Sequence, residues 1–247
     1  QANVDDLGHG THVAGIITGS ARGSQGARTL GIAQNADLVS LQVLDAEGRG
    51  IASDVIAALD WLLQYGSYFN VTVANLSLGK PITESYATDP LVAAVEAVWD
   101  SGIVVVVAAG NFGREGYFSI TSPGNSRKVI TVGSLTDNGT GDDFSDDYAS
   151  TYSSRGPTVV DHVVKPDLMA PGNRVVAALS DSSNLAALLP LVNPRTCRRM
   201  MWCTDAPWIA VEPGYQKLVR LLDHHLPHLL VDPEGDLDRA RALRPDA

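Results

Sequence analysis

The stretch GHGTHVAGIITG sets His9 and His12 three residues apart at the opening of a small-residue helical pattern. An imidazole titrates near neutrality, so it can take a proton from a nucleophile and return it to a leaving group. Gly8 and Gly10 flank His9 and leave it uncrowded at the N-terminal end of that pattern, open to a cleft. Taken alone, such a histidine is more often a helix cap or a packed core residue. A metal reading of Asp5, Asp6, His9 and His12 gathers two ligands per helical turn but lacks a third site. Asn111 is the second candidate. Standing at the end of VVVVAAGN, its carboxamide can aim an NH2 at a developing oxyanion, or it can cap its own backbone as loop asparagines do. Ser77-Leu78-Gly79 and Ala108-Ala109-Gly110 carry no titrating group. Their small side chains leave the backbone open for an extended peptide to pair with as an added strand, and tight packing of small residues explains them as well. The Gly-rich GSARGSQGARTLG has neither a strand before it nor the Lys-Ser/Thr ending of a phosphate loop.

These residues need a scaffold, and the apolar patterning supplies one. ADLVSLQVLD (36–45) reads as a buried strand, and IASDVIAALDWLLQY (51–65) has apolar residues at helical spacing. VTVANLSLG (71–79) is strand-like, and DPLVAAVEAVWDSG (89–102) reads as a helix ending in Gly102. IVVVVAAGN (103–111) and KVITVGSLT (128–136) read as buried strands. Continuous Val/Ile/Leu strands separated by helices predict a parallel sheet covered on both faces, an α/β three-layer fold. Asp54 and Asp89 are placed to favour the positive ends of their helices. ANLSLG and VVVVAAGN both close strands with glycine, so their loops should face the crevice beyond the carboxyl ends of a parallel sheet.

The chain has 247 residues, 45% of them hydrophobic, enough for a large domain or a domain with an extension. Its net charge of −10 argues against a nucleic-acid partner. No apolar run reaches the roughly 20 residues that span a bilayer, and no membrane partner is expected. No signal-like n-region and h-region is read at the front, and the opening Gln in place of Met leads to the expectation of a processed product or a fragment. Character changes after Ser183. Residues 184–247 hold 2 of the 23 glycines, 7 of the 13 prolines, both cysteines (Cys197 and Cys203) and no serine. The expected division is a core over 1–183 and a divergent or poorly ordered tail over 184–247. Two late cysteines exclude a disulfide scaffold for most of the chain, and their CxxxxxC spacing is poor evidence of a metal site by itself.

DDLGHGTHVAGIITG, ANLSLG, VVVVAAGN, YSSRGP and KPDLMAPGN occur in that order, and together they resemble the subtilisin family of serine proteases over about residues 3 to 180. The resemblance implies an α/β three-layer sandwich with a mostly parallel central sheet. It makes His9 the general base and Asn111 the oxyanion donor, with His12 a packed structural histidine. Ser77, Leu78, Gly79, Ala108, Ala109 and Gly110 then flank the main specificity pocket for an extended polypeptide substrate. Calcium follows by family only, since the 19–31 stretch where a family calcium loop often lies offers few carboxylates. Export is implied by the relatives alone.

Two parts of that chemistry are not found. In the family the acid precedes the histidine by about thirty residues and the serine follows, yet only eight residues precede His9. Asp5 and Asp6 stand too close and read as loop or capping residues. No GTSMA sequence follows KPDLMAPG, and Ser180, Ser182 and Ser183 lack its Gly-Thr lead. The expectation is a domain truncated at its N-terminal side and altered past about Leu191 by a frame change or a wrong exon, and inactive as it stands. A coding sequence without a GTSMA frame near codons 190–215 would contradict the frame change. A non-catalytic protein that binds extended peptides is the alternative, marked by a native tail that packs on the sheet. A nucleotide-binding α/β protein shares the pattern but lacks the phosphate loop.

Overall fold

The computed structural model describes residues 5–19, 31–140, 143–173, 175–180 and 183–184. They fall into two compact units, one formed by the described residues of 5–49 and 175–184, the other by those of 50–173. The expected tail over 184–247 lies, but for Asn184, outside the described residues.

The first unit contains helix α1, His9–Thr18. Its opening N–H groups need acceptors from outside the helix. Asp5 supplies them, its carboxylate accepting from Gly8 N at 2.7 Å and Thr11 N at 2.6 Å. At the other end the chain folds back: Ile32 and Ala33 donate to the carbonyls of Ile16 and Ile17. Asn184 ties down the front, with its N–H on Asp6 O at 2.6 Å and its side-chain amide on Ala46 O at 2.8 Å. The expected strand over 36–45 does not form. Leu38 and Val39 are 48% and 40% exposed, and no ladder reaches this segment among the described residues. Alternating apolar residues supply strand propensity, but a strand persists through the partner it pairs with.

The second unit is an open α/β sheet, as expected. Helix α2 (Ala52–Tyr65) buries Val55, Leu59 and Leu62, one stripe at helical spacing. Helix α3 (Pro90–Asp100) buries Leu91, Val92, Val95 and Val98 against α2 and the sheet. It begins where the sequence places it. Asp89 caps it by accepting Leu91 N–H at 2.9 Å, and Pro90 fills the first helical position, where a missing N–H costs nothing. Strands β1 (Val73–Leu76), β2 (Val104–Ala108) and β3 (Ile130–Thr136) run parallel, with Val73 beside Val104 and Val106 beside Ile130. A two-residue strand β4 (Tyr148–Ala149) pairs antiparallel to β3, and β5 (Leu168–Pro171) pairs parallel to β3. Side chains alternate along β1 and β2: Ala74, Leu76, Val105 and Val107 are buried, while Val73 and Val104 point to a more open face. No helix among the described residues is long and apolar enough to cross a membrane.

Candidate active site

Because β1 and β2 are parallel, the chain leaves both at the same edge of the sheet. Ser77-Leu78-Gly79 follows the end of β1, and Ala109-Gly110-Asn111 follows the end of β2. A third segment joins them. Lys80 and Ser122 exchange backbone hydrogen bonds of 2.9 Å in each direction, and Thr121 N–H donates to Ala109 O at 3.0 Å. Thr121 Oγ1 donates to the same carbonyl at 3.2 Å. The two predicted peptide-facing segments therefore meet across Thr121.

Glycine is required on both sides of that meeting point. A Cβ on Gly79 would collide with Thr121 Oγ1. On Gly110 it would lie 2.8 Å from Ser154 Oγ and 2.8 Å from Thr121 Cγ2, and Gly110 also holds a φ of 109°, a backbone region that L side chains rarely adopt. Asn111 is pinned from both neighbours by one residue. Ser154 N–H donates to Gly110 O at 2.9 Å, and Ser154 Oγ accepts Phe112 N–H at 3.1 Å. The segments are anchored by a charge pair whose carboxylate is buried. Asp89, fully buried, accepts from Lys80 Nζ at 2.8 Å and Ser122 Oγ at 2.7 Å as well as capping α3. Burial pushes its carboxyl up. The bonds from Lys80, Ser122 and Leu91 N–H, with the lysine charge, outweigh that and hold it below the usual carboxylate value.

His9 belongs to the first unit. Its Nε2 is shut off from solvent and has no hydrogen-bond partner among the described residues. Burial lowers its pKa from the ordinary histidine value, and the Asp5 charge only partly offsets this. A neutral imidazole with an unclaimed nitrogen can accept a proton at neutral pH. His12 differs sharply. It is 1% exposed, and its Nε2 lies 3.3 Å from Val175 O. A carbonyl can only accept, so the neutral ring carries its hydrogen on Nε2. Burial lowers its pKa to about 4, against the carbonyl bond, with the nearby His9 charge lowering it further. Asp5 is a helix cap, as its sequence position suggested. Among the described residues no three His, Cys, Asp or Glu side chains are grouped to hold a metal, so Asp5, Asp6, His9 and His12 make no such site. Most of the 19–31 stretch lies outside the described residues.

Compared with known proteins, residues 1–200 match the profile of the Subtilase family. The chain belongs to that family. Two subtilase relatives bear it out. The serine protease AprX of Bacillus subtilis (strain 168) is 42% identical over 189 residues, covering 74% of this chain and 42% of the relative. The extracellular serine proteinase of Thermus sp. (strain Rt41A) is 38% identical over 179 residues, covering 72% and 36%. The chain thus spans about two-fifths of the length of these subtilases. Among solved structures, sphericase aligns with a TM-score of 0.59 at 30% identity, over 73% of this chain and 57% of its own. The S41 psychrophilic protease aligns with a TM-score of 0.60 at 27% identity, over 96% and 70%.

Two residues at this meeting point carry no signal in the sequence. Thr121 sits in SITSPGN, an unremarked loop, and gains its place through the Lys80–Ser122 pairing and its own two bonds to Ala109 O. Ser154 lies in YSSRGP, a motif that marks the family without revealing that its serine braces Asn111.

Proposed function

We propose that this chain carries the substrate-holding and charge-stabilising part of a serine endopeptidase centre acting on extended polypeptides, and that these 247 residues alone do not hydrolyse peptide bonds. The observation that supports it most is the convergence of Ser77–Gly79 and Ala108–Gly110 on Thr121, with Asn111 the next residue along. A peptide laid between the two segments pairs with their backbone as an added strand, and side-chain discrimination falls to the space above Thr121. The peptide's carbonyl then meets the Asn111 carboxamide, whose N–H groups stabilise charge on the oxygen as a tetrahedral species forms. In this reading His9 is the general base, kept neutral by burial.

The third requirement is a hydroxyl that attacks. No GTSMA sequence occurs in the 247 residues. Ser183 is buried, and its Oγ donates to Ser180 O at 2.6 Å, a poor state for a nucleophile. Ser182 lies outside the described residues. Membership of the subtilase family supports a polypeptide substrate, and the extracellular name of one relative supports secretion. Incubating the purified polypeptide with a fluorophosphonate probe and casein tests the reading. Neither serine labelling nor casein cleavage is expected. Stoichiometric serine modification together with cleavage would overturn the claim that the chain lacks its nucleophile.

A further inference from the structure

The carbonyl end of α2 presents a surface that the peptide-facing segments do not use. Trp61 and Tyr65 stand one turn apart on the helix, and their rings meet with centroids 5.4 Å apart. The chain then turns back. Phe69 donates its N–H to Tyr65 O at 3.2 Å and stacks its ring on Trp61, with centroids 5.4 Å apart. Tyr68 meets Phe69 edge to face at 5.0 Å. Four aromatic side chains therefore make one cluster, in which Tyr68 is 83%, Phe69 50% and Tyr65 47% exposed. Rings held together at the surface offer their faces to a partner.

Every charged side chain in this part of the chain is negative. No Lys, Arg or His occurs between Gly50 and Gly79, whereas α2 carries Asp54 and Asp60. Asp60 lies one turn before Gln64, whose amide donates to Asp60 Oδ2 at 2.6 Å, and neither aspartate has a cation partner among the described residues. The last turn adds to this. No backbone N–H among the described residues reaches the carbonyls of Leu63 and Gln64, so the helix ends in open acceptors at the negative pole of its dipole. The faces of aromatic rings are negative too. Arg127 lies over Tyr86, 6.0 Å from its centroid, but among the described residues no cation lies over Trp61, Tyr65, Tyr68 or Phe69. Charge complementarity then selects the occupant. A second copy would set like charges against each other, in a chain of net charge −10. A phosphate backbone or an anionic bilayer is repelled for the same reason. A guanidinium fits: it is planar, stacks on aromatic faces, and offers five N–H groups to carbonyl and carboxylate oxygens. An ammonium, compact and strongly hydrated, fits less well.

We infer that this surface binds an arginine-bearing segment of another polypeptide, with the guanidinium laid on the exposed aromatic faces at the negative end of α2. Nuclear magnetic resonance of the labelled 247-residue protein tests it, with the capped peptide Ac-Arg-Ala-Arg-NH2 and the same peptide carrying lysine or citrulline in place of arginine. The arginine peptide should shift the Trp61 indole N–H and the amides of Gln64 to Phe69 along one saturable curve. Lysine should bind at least threefold and citrulline at least tenfold more weakly, and raising salt should weaken the arginine peptide. Tyr68→Ala and Asp60→Asn, both at exposed positions, should each weaken the arginine peptide at least threefold, with circular dichroism unchanged. Equal affinity for the arginine and citrulline peptides, or arginine affinity indifferent to both substitutions, overturns the inference. Shifts confined to Ser77–Gly79 and Ala108–Gly110 would put the peptide in the cleft and overturn it as well. Tighter binding of cellohexaose, a neutral sugar chain, or shifts of the α2 amides on concentrating the protein alone, would also overturn it, and would assign the surface to carbohydrate or to a second copy.

Discussion

The unit that carries His9 and the unit that carries Asn111 hold their residues in place by different means. Around His9, among the described residues, helix α1 is joined by polar bonds from Asp5 on the helix start, Asn184 on Asp6 and Ala46, and His12 on Val175. Around Asn111 the position follows from a ladder of parallel strands, two packed helices and a buried carboxylate with three partners. Sheets and helix pairs share their stabilisation among many contacts, whereas structure packed around a buried neutral histidine loosens when that histidine is protonated. The peptide-facing segments and the imidazole should therefore respond separately to mutation and to pH.

Removing Asp89 should give the largest effect. Asp89→Ala strips the cap from α3 and leaves the Lys80 ammonium, itself part-exposed, without its carboxylate. The sheet unit should lose about 2–4 kcal/mol, read by urea unfolding. Hydrogen exchange in α1 should not change, and equal loosening of α1 would erase the distinction between the units.

Acid should act in the opposite order. His12 has a folded pKa of about 4 and an ordinary one near 6.5. The unfolded chain therefore binds a proton through that window and the folded one does not. Stability of the His9 unit falls as pH drops from about 6.5 to about 4, by on the order of 3 kcal/mol, and levels off below. Asp89 is depressed, so its contribution is intact above about pH 4 and is lost only as pH falls through its folded value. Hydrogen exchange at pH 5 should show α1 opening while β2 stays protected. Simultaneous loss would contradict the assignment.

Gly110→Ala probes the cleft itself. The new methyl meets Ser154 and Thr121 in a left-handed backbone, at a cost of about 1–3 kcal/mol. Affinity for an extended peptide should drop at least tenfold, and thermal melting with peptide titration measures both. His9→Ala should change least, within about 1 kcal/mol, because relief of a buried unpartnered nitrogen offsets the lost packing. A loss as large as that of Asp89→Ala would mean that His9 is a structural residue.

How far the sequence carried depends on whether a feature is local. Helices α2 and α3 and strands β1 to β3 show in apolar spacing, and Asp89 and Pro90 mark a helix start by local chemistry. That the segments after β1 and β2 share an edge follows from parallel strands alone. Strand β5 was hidden, because LMAP is short, ends in proline and is half exposed. ADLVSLQVLD misleads for the converse reason: propensity is local, but pairing is not. Thr121 and Ser154 were invisible for the same cause. Each is an ordinary hydroxyl until a contact with a distant part of the chain places it against Gly79, Gly110 or Phe112. The charge pair of Lys80 and Asp89 was equally silent, since only the cap of that carboxylate is written in neighbouring residues.

The cleft can be examined directly by nuclear magnetic resonance. A capped octapeptide rich in alanine and leucine, titrated into the labelled 247-residue protein, should shift the amides of Ser77 to Gly79, Ala108 to Gly110 and Thr121 along one saturable curve, without being cut. Shifts confined to other parts of the sheet unit, or none that saturate, would contradict the account.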